Sequence, residues 1–504
     1  MTRATLRRVG TGEAGWFRRN VPGGSVLAMT STHAETPQNH PGTPGAVDAA
    51  ALKAAVDASF DLTLARLKTL VAVPGIAWSS FDPAELDRSA ETVAGLVRES
   101  GFSDVQILRC NKEDGSAGGP AVVARRPAAP GKATILLYAH HDVQPPGERA
   151  LWDSEPFIAE ERDGRLYGRG AADDKAGIMA HLAAFSAVSE VLGDRFGLGV
   201  TLFFEGEEEA GSPTFRTFLE THRELLRADV IVVADSSNWK VGVPALTTSL
   251  RGLVDGTFEV RVLDHAVHSG MFGGPVLDAP TVLARLIATL HDDAGNVAVP
   301  GLLAKDEVAV DLDEAQFRAD ASVLDGVSLA GSGSIASRLW TKPALSIIGI
   351  DAPAVDVASN TLIPSARAKF SLRLAPGQDP EAAMAAVEKH LKDNIPFGAR
   401  LAFTPGERGN AFATDTASPS ARIAMWALGE AWGVPAVEMG IGGSIPFIAD
   451  LTEVYPEVQI LVTGVEDPDS RAHSANESLH IGDFRRAVVA EALMLAQLDA
   501  SGLA

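Results

Sequence analysis

Gly199-Val200-Thr201-Leu202-Phe203-Phe204 runs straight into Glu205-Gly206-Glu207-Glu208-Glu209-Ala210-Gly211-Ser212. The first six residues form an almost unbroken apolar run rich in β-branched and aromatic residues, the mark of a strand buried on both faces. Four carboxylates at the mouth of such a strand repel one another and resist leaving water. A cation removes that conflict. Taken alone, the cluster also reads as a solvated acidic turn.

Other strands end the same way. Thr134-Ile135-Leu136-Leu137-Tyr138 leads into Ala139-His140-His141-Asp142, and Val230-Ile231-Val232-Val233-Ala234 ends in Asp235. A His with an Asp two residues on suits a ligand whose second ring nitrogen is held by a carboxylate. Gly168-Arg169-Gly170-Ala171-Ala172-Asp173-Asp174-Lys175 opens a helix as a Gly-rich loop, but it lacks phosphate-loop spacing and carries two carboxylates instead. A last strand, 458–462, leads through an acidic loop to Ala472-His473-Ser474-Ala475-Asn476-Glu477. His140, Asp173, Glu208, Glu209, Asp235 and His473 together offer imidazole and carboxylate donors without Cys, a set suited to zinc, manganese or cobalt. Two ions sharing one carboxylate stand about 3.5–4 Å apart, and a remaining carboxylate beside their water is a general base.

The spacing predicts helices at 47–73, 83–100, 176–192 and 215–226, with strands at 105–109, 121–125, 133–139, 199–204 and 229–234. This is a layered α/β pattern with ligand-bearing loops at strand carboxyl ends. From about 247 the order is strand 256–262, helix 279–291, strands 344–350 and 366–374, helix 380–392 and strand 399–403. That β-α-β-β-α-β order is ferredoxin-like, interrupted by an irregular insertion at 293–343. After Pro405-Gly406 the α/β signal returns, with helices at 421–432 and 482–500. The expected division is an N-terminal extension at 1–46, a catalytic domain in two segments at 47–246 and 405–504, and an inserted domain at 247–404.

Composition is globular, 46% hydrophobic and 21% charged, and 504 residues exceed one ordinary core. The formal charge of −22 argues against nucleic acid or anionic membrane as partner. Cys110 is the single cysteine, so intrachain disulfides and Cys-based zinc sites are excluded and a reducing cytoplasm fits. No apolar run approaches a membrane span. The first forty-odd residues hold Arg3, Arg7, Arg8, Arg18 and Arg19 without an apolar core, against a secretory signal. The proline-containing stretch 31–44 reads as disordered, and Met29 offers an alternative start.

The blocks YAHHDVQPPG, YGRGAADDKAG, EGEEEAGS, VADSS, HSGMFGG, KFSLRLAP, GGSIP and AHSANE resemble, in order, the signature set of the dizinc metallopeptidases of clan MH. That family includes carnosinases, cytosolic non-specific dipeptidases, aminoacylases and glutamate carboxypeptidase. The resemblance runs from about residue 50 to the C-terminus and is closest to the dipeptidase branch. It implies a zinc-peptidase-like catalytic domain, a mostly parallel sheet flanked by helices, with an inserted ferredoxin-like lid that dimerises.

By position, it implies that His140, Asp173 and Asp235 hold one metal, and that Asp173 bridges to a second held by Glu209 and His473. Zinc is the first expectation, with manganese or cobalt as alternatives. Asp142 matches the residue orienting His140, and Glu208 the general base. His268 matches a histidine that reaches the partner's site and stabilises the oxyanion. Arg373 matches the grip on the substrate carboxylate. Asn360, Thr361, Gly442, Gly443 and Ser444 match substrate-binding positions.

One departure bears on substrate. Many dipeptidases of the family have Arg-Glu before Gly-Gly-Ser, the Glu placed to meet the free amino group, and here the pair is Gly440-Ile441. That departure loosens the need for a free α-amino group, while the leading expectation is a cytoplasmic, homodimeric dizinc hydrolase cleaving dipeptides or short peptides. N-acyl or N-carbamoyl amino acids are the alternative, and a non-catalytic binding relative the third reading.

Overall fold

The computed structural model describes residues 47–443 and 446–502. The 1–46 extension and Ser444 lie outside the described residues. The large sheet has nine strands. Across it run Asp104–Leu108, Ala121–Arg126, Gly199–Glu205, Thr134–His140, Val230–Val233, Gln459–Val462, Ala245–Leu250 and Phe412–Ala413, with Val437–Ile441 also paired to Ala245–Leu250. The four from Gly199–Glu205 to Gln459–Val462 are mutually parallel. Val437–Ile441 also pairs in parallel, and the remaining pairings are antiparallel. The sheet is thus mixed rather than mostly parallel. The connection from Leu108 to Ala121 holds no helix, and a parallel crossover needs room for one.

Strand alternation explains why the central strands read as continuous apolar runs. Ile135, Leu137 and Ala139 enter one core cluster, Leu136 and Tyr138 the other. Helices Ala49–Val71, Lys175–Leu192, Pro419–Trp432 and Ile481–Ser501 contribute to the first cluster, Phe215–Thr221 and Pro446–Val454 to the second. Each fully buried Leu, Ile or Phe contributes about 1.5–3 kcal/mol relative to exposure. By length and composition alone, Lys175–Arg195 is apolar enough to cross a membrane, which the sequence reading missed. Two-thirds of it (67%) is buried, so it is the central helix of this core.

A second sheet of four strands runs Ala344–Asp351, Ser365–Leu374, Gly252–Arg261, Arg400–Gly409, every neighbouring pair antiparallel. Helices Ala279–Ala288 and Pro380–Asp393 cover it through Val282, Leu283, Leu286, Met384, Val387 and Leu391, making a separate core. Both helices start as the sequence dictates, with Pro in the first turn and an Asp cap. Asp278 accepts from Thr281 N at 2.9 Å and Asp379 from Ala382 N at 2.7 Å.

Several boundaries move. Position 247 falls inside Ala245–Leu250 of the large sheet, and 404 inside Arg400–Gly409. Pro405-Gly406 does not end that strand. The register shifts there, and an edge strand tolerates a proline that cannot donate to the ladder. The 293–343 insertion contains helices Glu314–Asp320 and Ile335–Trp340, and the helix expected at 215–226 stops at Thr221.

Candidate metal centre

The four parallel strands deliver polar residues to one edge of the sheet. Thr134–His140 ends in His140, Glu208 and Glu209 follow Gly199–Glu205, Asp235 lies just beyond Val230–Val233, and the loop after Gln459–Val462 leads to His473. Carboxyl ends of parallel strands are where α/β sheets place ligands.

Two triads form there. The donor atoms of His140, Asp173 and Asp235 lie within 4.8 Å of one another, as do those of Asp173, Glu209 and His473. Asp173 belongs to both and divides its oxygens between them. Its Oδ1 is 3.1 Å from His140 Nε2 and its Oδ2 is 3.0 Å from His473 Nε2. Glu209 Oε2 is 3.2 Å from His473 Nε2. Glu208 stands outside both triads.

Neighbouring groups fix the donors. The Asp142 carboxylate accepts from Glu208 N at 3.1 Å and Glu209 N at 3.0 Å, so it sets the acidic loop. Its carboxylate is 3.6 Å from His140 Nδ1, and its backbone carbonyl is nearer, at 3.1 Å. Asp142 therefore contacts His140 mainly through the main chain. Gln144 holds Glu209 with its N at 3.1 Å from Oε1 and its Nε2 at 2.7 Å from Oε2. The buried Glu477 carboxylate accepts from Gly170 N, Ala172 N and Asp173 N at 3.0, 3.0 and 3.1 Å, and from Arg169 Nη1 at 2.6 Å. Sequence inspection assigned no role to Gln144, Arg169 or Glu477; only the Glu beside His473 hinted at one.

Gly206 is dictated by close approach, since a Cβ there would sit 2.3 Å from Pro120 O and 2.6 Å from His141 Nε2. His141 is not a donor to the triads. Its ring nitrogens meet Pro120 O at 2.7 Å and Ser89 Oγ at 3.1 Å, and burial pushes it down to about 4.

The donor set fits divalent cations. Burial pushes Glu208 up to about 9, against the pull of His140, and Asp235 and Asp142 add to the rise. Burial likewise raises Asp235 to about 7, with Asp173 and Glu209 repelling it. His473 is drawn up to about 11 by its bonds to Asp173 and Glu209. In His140, bonds to Asp142 and Asp173 overcome burial, which disfavours its charge. Asp174 Oδ1 is buried without a partner. These carboxylates are desolvated and mutually repelling, the condition that cations relieve.

The other sequence-derived residues fall into two groups. His268 pairs with Thr361 in a short antiparallel ladder, and Ser269 N donates to Asn360 O at 3.0 Å, so His268, Asn360 and Thr361 come together. Exposed His268 accepts from Gly270 N at 3.0 Å through Nδ1. The Gly442 carbonyl accepts from Arg251 Nε at 2.8 Å. Arg251 is 7% exposed, and burial, then the charge of Arg373, lowers it to about 10.

Two cations sharing a carboxylate, with a further carboxylate beside them, are the apparatus of a dinuclear metallohydrolase. The comparisons agree with that class: the chain belongs to peptidase family M20/M25/M40, whose model matches residues 136–497. It is 33% identical over 455 residues to a cysteinylglycine-S-conjugate dipeptidase of Corynebacterium striatum, covering 88% of this chain and 98% of the relative. It is 25% identical over 452 residues to a Cys-Gly metallodipeptidase of Schizosaccharomyces pombe, covering 86% and 94%. The fold is similar to that of human carnosine dipeptidase 1, with a TM-score of 0.68 and 25% identity over 91% of this chain and 100% of the other.

Proposed function

We propose that this protein is a metal-dependent dipeptidase acting on dipeptides or short peptides with a free carboxyl terminus. The observation that carries the reading is Asp173, one oxygen toward each triad, with Glu208 alongside. His140, Asp173 and Asp235 would hold one ion, and Asp173, Glu209 and His473 the other. When bound, the ions polarise the amide carbonyl and make water acidic enough to attack. Glu208 would take a proton from the attacking water and return it to the leaving nitrogen, bound cations beside it favouring its ionised form. Arg373 receives the substrate carboxylate. Asn360, Thr361 and the Gly442-Gly443 backbone line the approach.

The four-stranded sheet and its two helices form a ferredoxin-like lid in this reading, spanning about 247–404, and the lid pairs two copies of the chain. His268 of one copy then donates to the oxyanion in the other. The −22 charge and one buried cysteine accord with a cytoplasmic enzyme. Ile441 favours one second reading, hydrolysis of N-acyl or N-carbamoyl amino acids on the same site.

The test is amino-acid release from dipeptides and N-acetyl amino acids, with zinc or manganese and again after chelation. Chelator-sensitive turnover of dipeptides is expected. Glu208→Gln should lose roughly 1,000-fold in kcat with metal content unchanged. Preferential cleavage of acylated compounds would shift the reading to the second, and wild-type rates in Glu208→Gln would remove the base.

A further inference from the structure

Of the four parallel strands whose ends build the site, Gln459–Val462 sends one more acid to the same edge, Glu466, which belongs to neither triad. Its position is fixed from the Asp235 side. Ser237 and Glu466 form a parallel bridge, and Asn238 N donates to Glu466 O at 2.8 Å. Ser237 Oγ donates to Glu466 Oε2 at 3.2 Å. Among the described residues this is the one hydrogen bond to the carboxylate, and no Lys, Arg or His forms a salt bridge with it. Glu466 is nonetheless partly buried, and it lies in the field of Asp173, Asp235 and Glu477. Cations on the triads answer Asp173 and Asp235. Burial, and then Asp173, Asp235 and Glu477, hold the Glu466 carboxyl well above the usual carboxylate range, so with one neutral hydrogen bond its charged form is costly until a positive group arrives beside it.

The residue preceding Gly442-Gly443 supplies no such charge. Ile441 packs into apolar clusters, and Gly440 lies against Trp340, where a Cβ would be 2.6 Å from the indole. A peptide with a free amino terminus carries one positive charge to this pocket, and an N-acyl amino acid carries none.

We propose that Glu466, seated by Ser237, receives the substrate's α-ammonium group and so selects free dipeptides over acylated amino acids. This rests on the dipeptidase reading above. Ser237 occupies one oxygen of the carboxylate and leaves the other to accept from the ammonium. Selection then comes from the loop after Gln459–Val462 rather than from the strand Val437–Ile441.

The experiment compares Ala-Ala with propanoyl-Ala, which differs by the ammonium group alone, in zinc-loaded full-length protein. The readouts are KM for Ala-Ala, the constant for propanoyl-Ala as substrate or competitive inhibitor, and zinc per chain. Glu466→Gln should raise the Ala-Ala constant about 10- to 100-fold, the value of one charge-assisted hydrogen bond. Propanoyl-Ala should change by less than about twofold, with zinc content intact. Equal changes for both compounds, or loss of zinc, would overturn the assignment. If the Gln variant does not fold, Ser237→Ala makes the same test, and an unaltered preference between the two compounds would count against the proposal. A wild-type enzyme that turns over propanoyl-Ala and not Ala-Ala would instead bring down the dipeptidase reading, and this assignment with it.

Discussion

Glu205 closes the strand Gly199–Glu205 and accepts from Tyr138 Oη at 2.7 Å, both side chains buried. Burial, reinforced by Asp142 and Glu207 and opposed by Tyr138, lifts its carboxyl from 4.5 to about 8. The folded protein therefore keeps this proton across a range in which the unfolded chain has released it. Its contribution to stability is fully present below 4.5 and is lost as pH rises through about 8. The slope in that window is up to about 1.4 kcal/mol per pH unit. Glu205→Gln cannot titrate, so its melting temperature relative to wild type, measured in chelator, should climb from pH 5.5 to 8. A difference that stays constant with pH would mean Glu205 is ionised in the folded state. Legibility at this scale was uneven. His140, Glu208, Glu209 and Asp235 were readable because each lies at or just past the end of an apolar run. Gln144, Arg169 and Glu477 lie inside the quoted blocks without a readable role, and Glu466 lies outside them, because what each side chain holds is a segment distant in sequence.

Among the elements, the loop Gly168–Asp174 carries the shared ligand Asp173 yet owes its shape to a residue some three hundred positions away. Glu477 gathers three backbone N–H groups of that loop and the Arg169 guanidinium. Glu477→Gln should weaken zinc binding by roughly 10- to 100-fold, as loss of supporting groups does at metal sites. Excess zinc should restore activity. Competition with a chromophoric chelator measures this, and undiminished affinity would show that the loop holds its own shape. Long amphipathic or apolar helices and both-face-buried strands were read from their periods to within a few residues. The strands Ala245–Leu250 and Val437–Ile441 were not, since Thr, Ser and Gly interrupt their apolar character and only pairing makes them strands. Pro405-Gly406 misled as a break because a bulge on an edge strand looks, in sequence, like the end of one.

For the whole molecule, the consequential question is which copy of the chain supplies His268. In the proposed dimer it serves the partner's site, so two inactive proteins should complement. Glu208→Gln and His268→Ala, mixed under conditions that exchange subunits, should regain activity, because one site of each mixed dimer has both groups. Absence of recovery in a verified mixed dimer would place His268 in its own subunit's site. A monomer of full activity would exclude the partner's role outright.

By itself the sequence determined the chemistry of the centre and the alternation of layers around it. Apolar runs must be buried, so the His and carboxylates that end them must gather at one edge of a sheet. It also carried the β-α-β-β-α-β order that folds into the second sheet, because caps, prolines and apolar stripes are local. Tertiary structure alone decided the mixed sense of the large sheet, the assignment of one Asp173 oxygen to each triad, and the support given by Glu477 and Gln144. It also placed Glu466 beside Asp235. Each of these depends on which distant segments lie side by side, and pairing across a sheet or between loops is a property of the packed chain and not of any stretch within it.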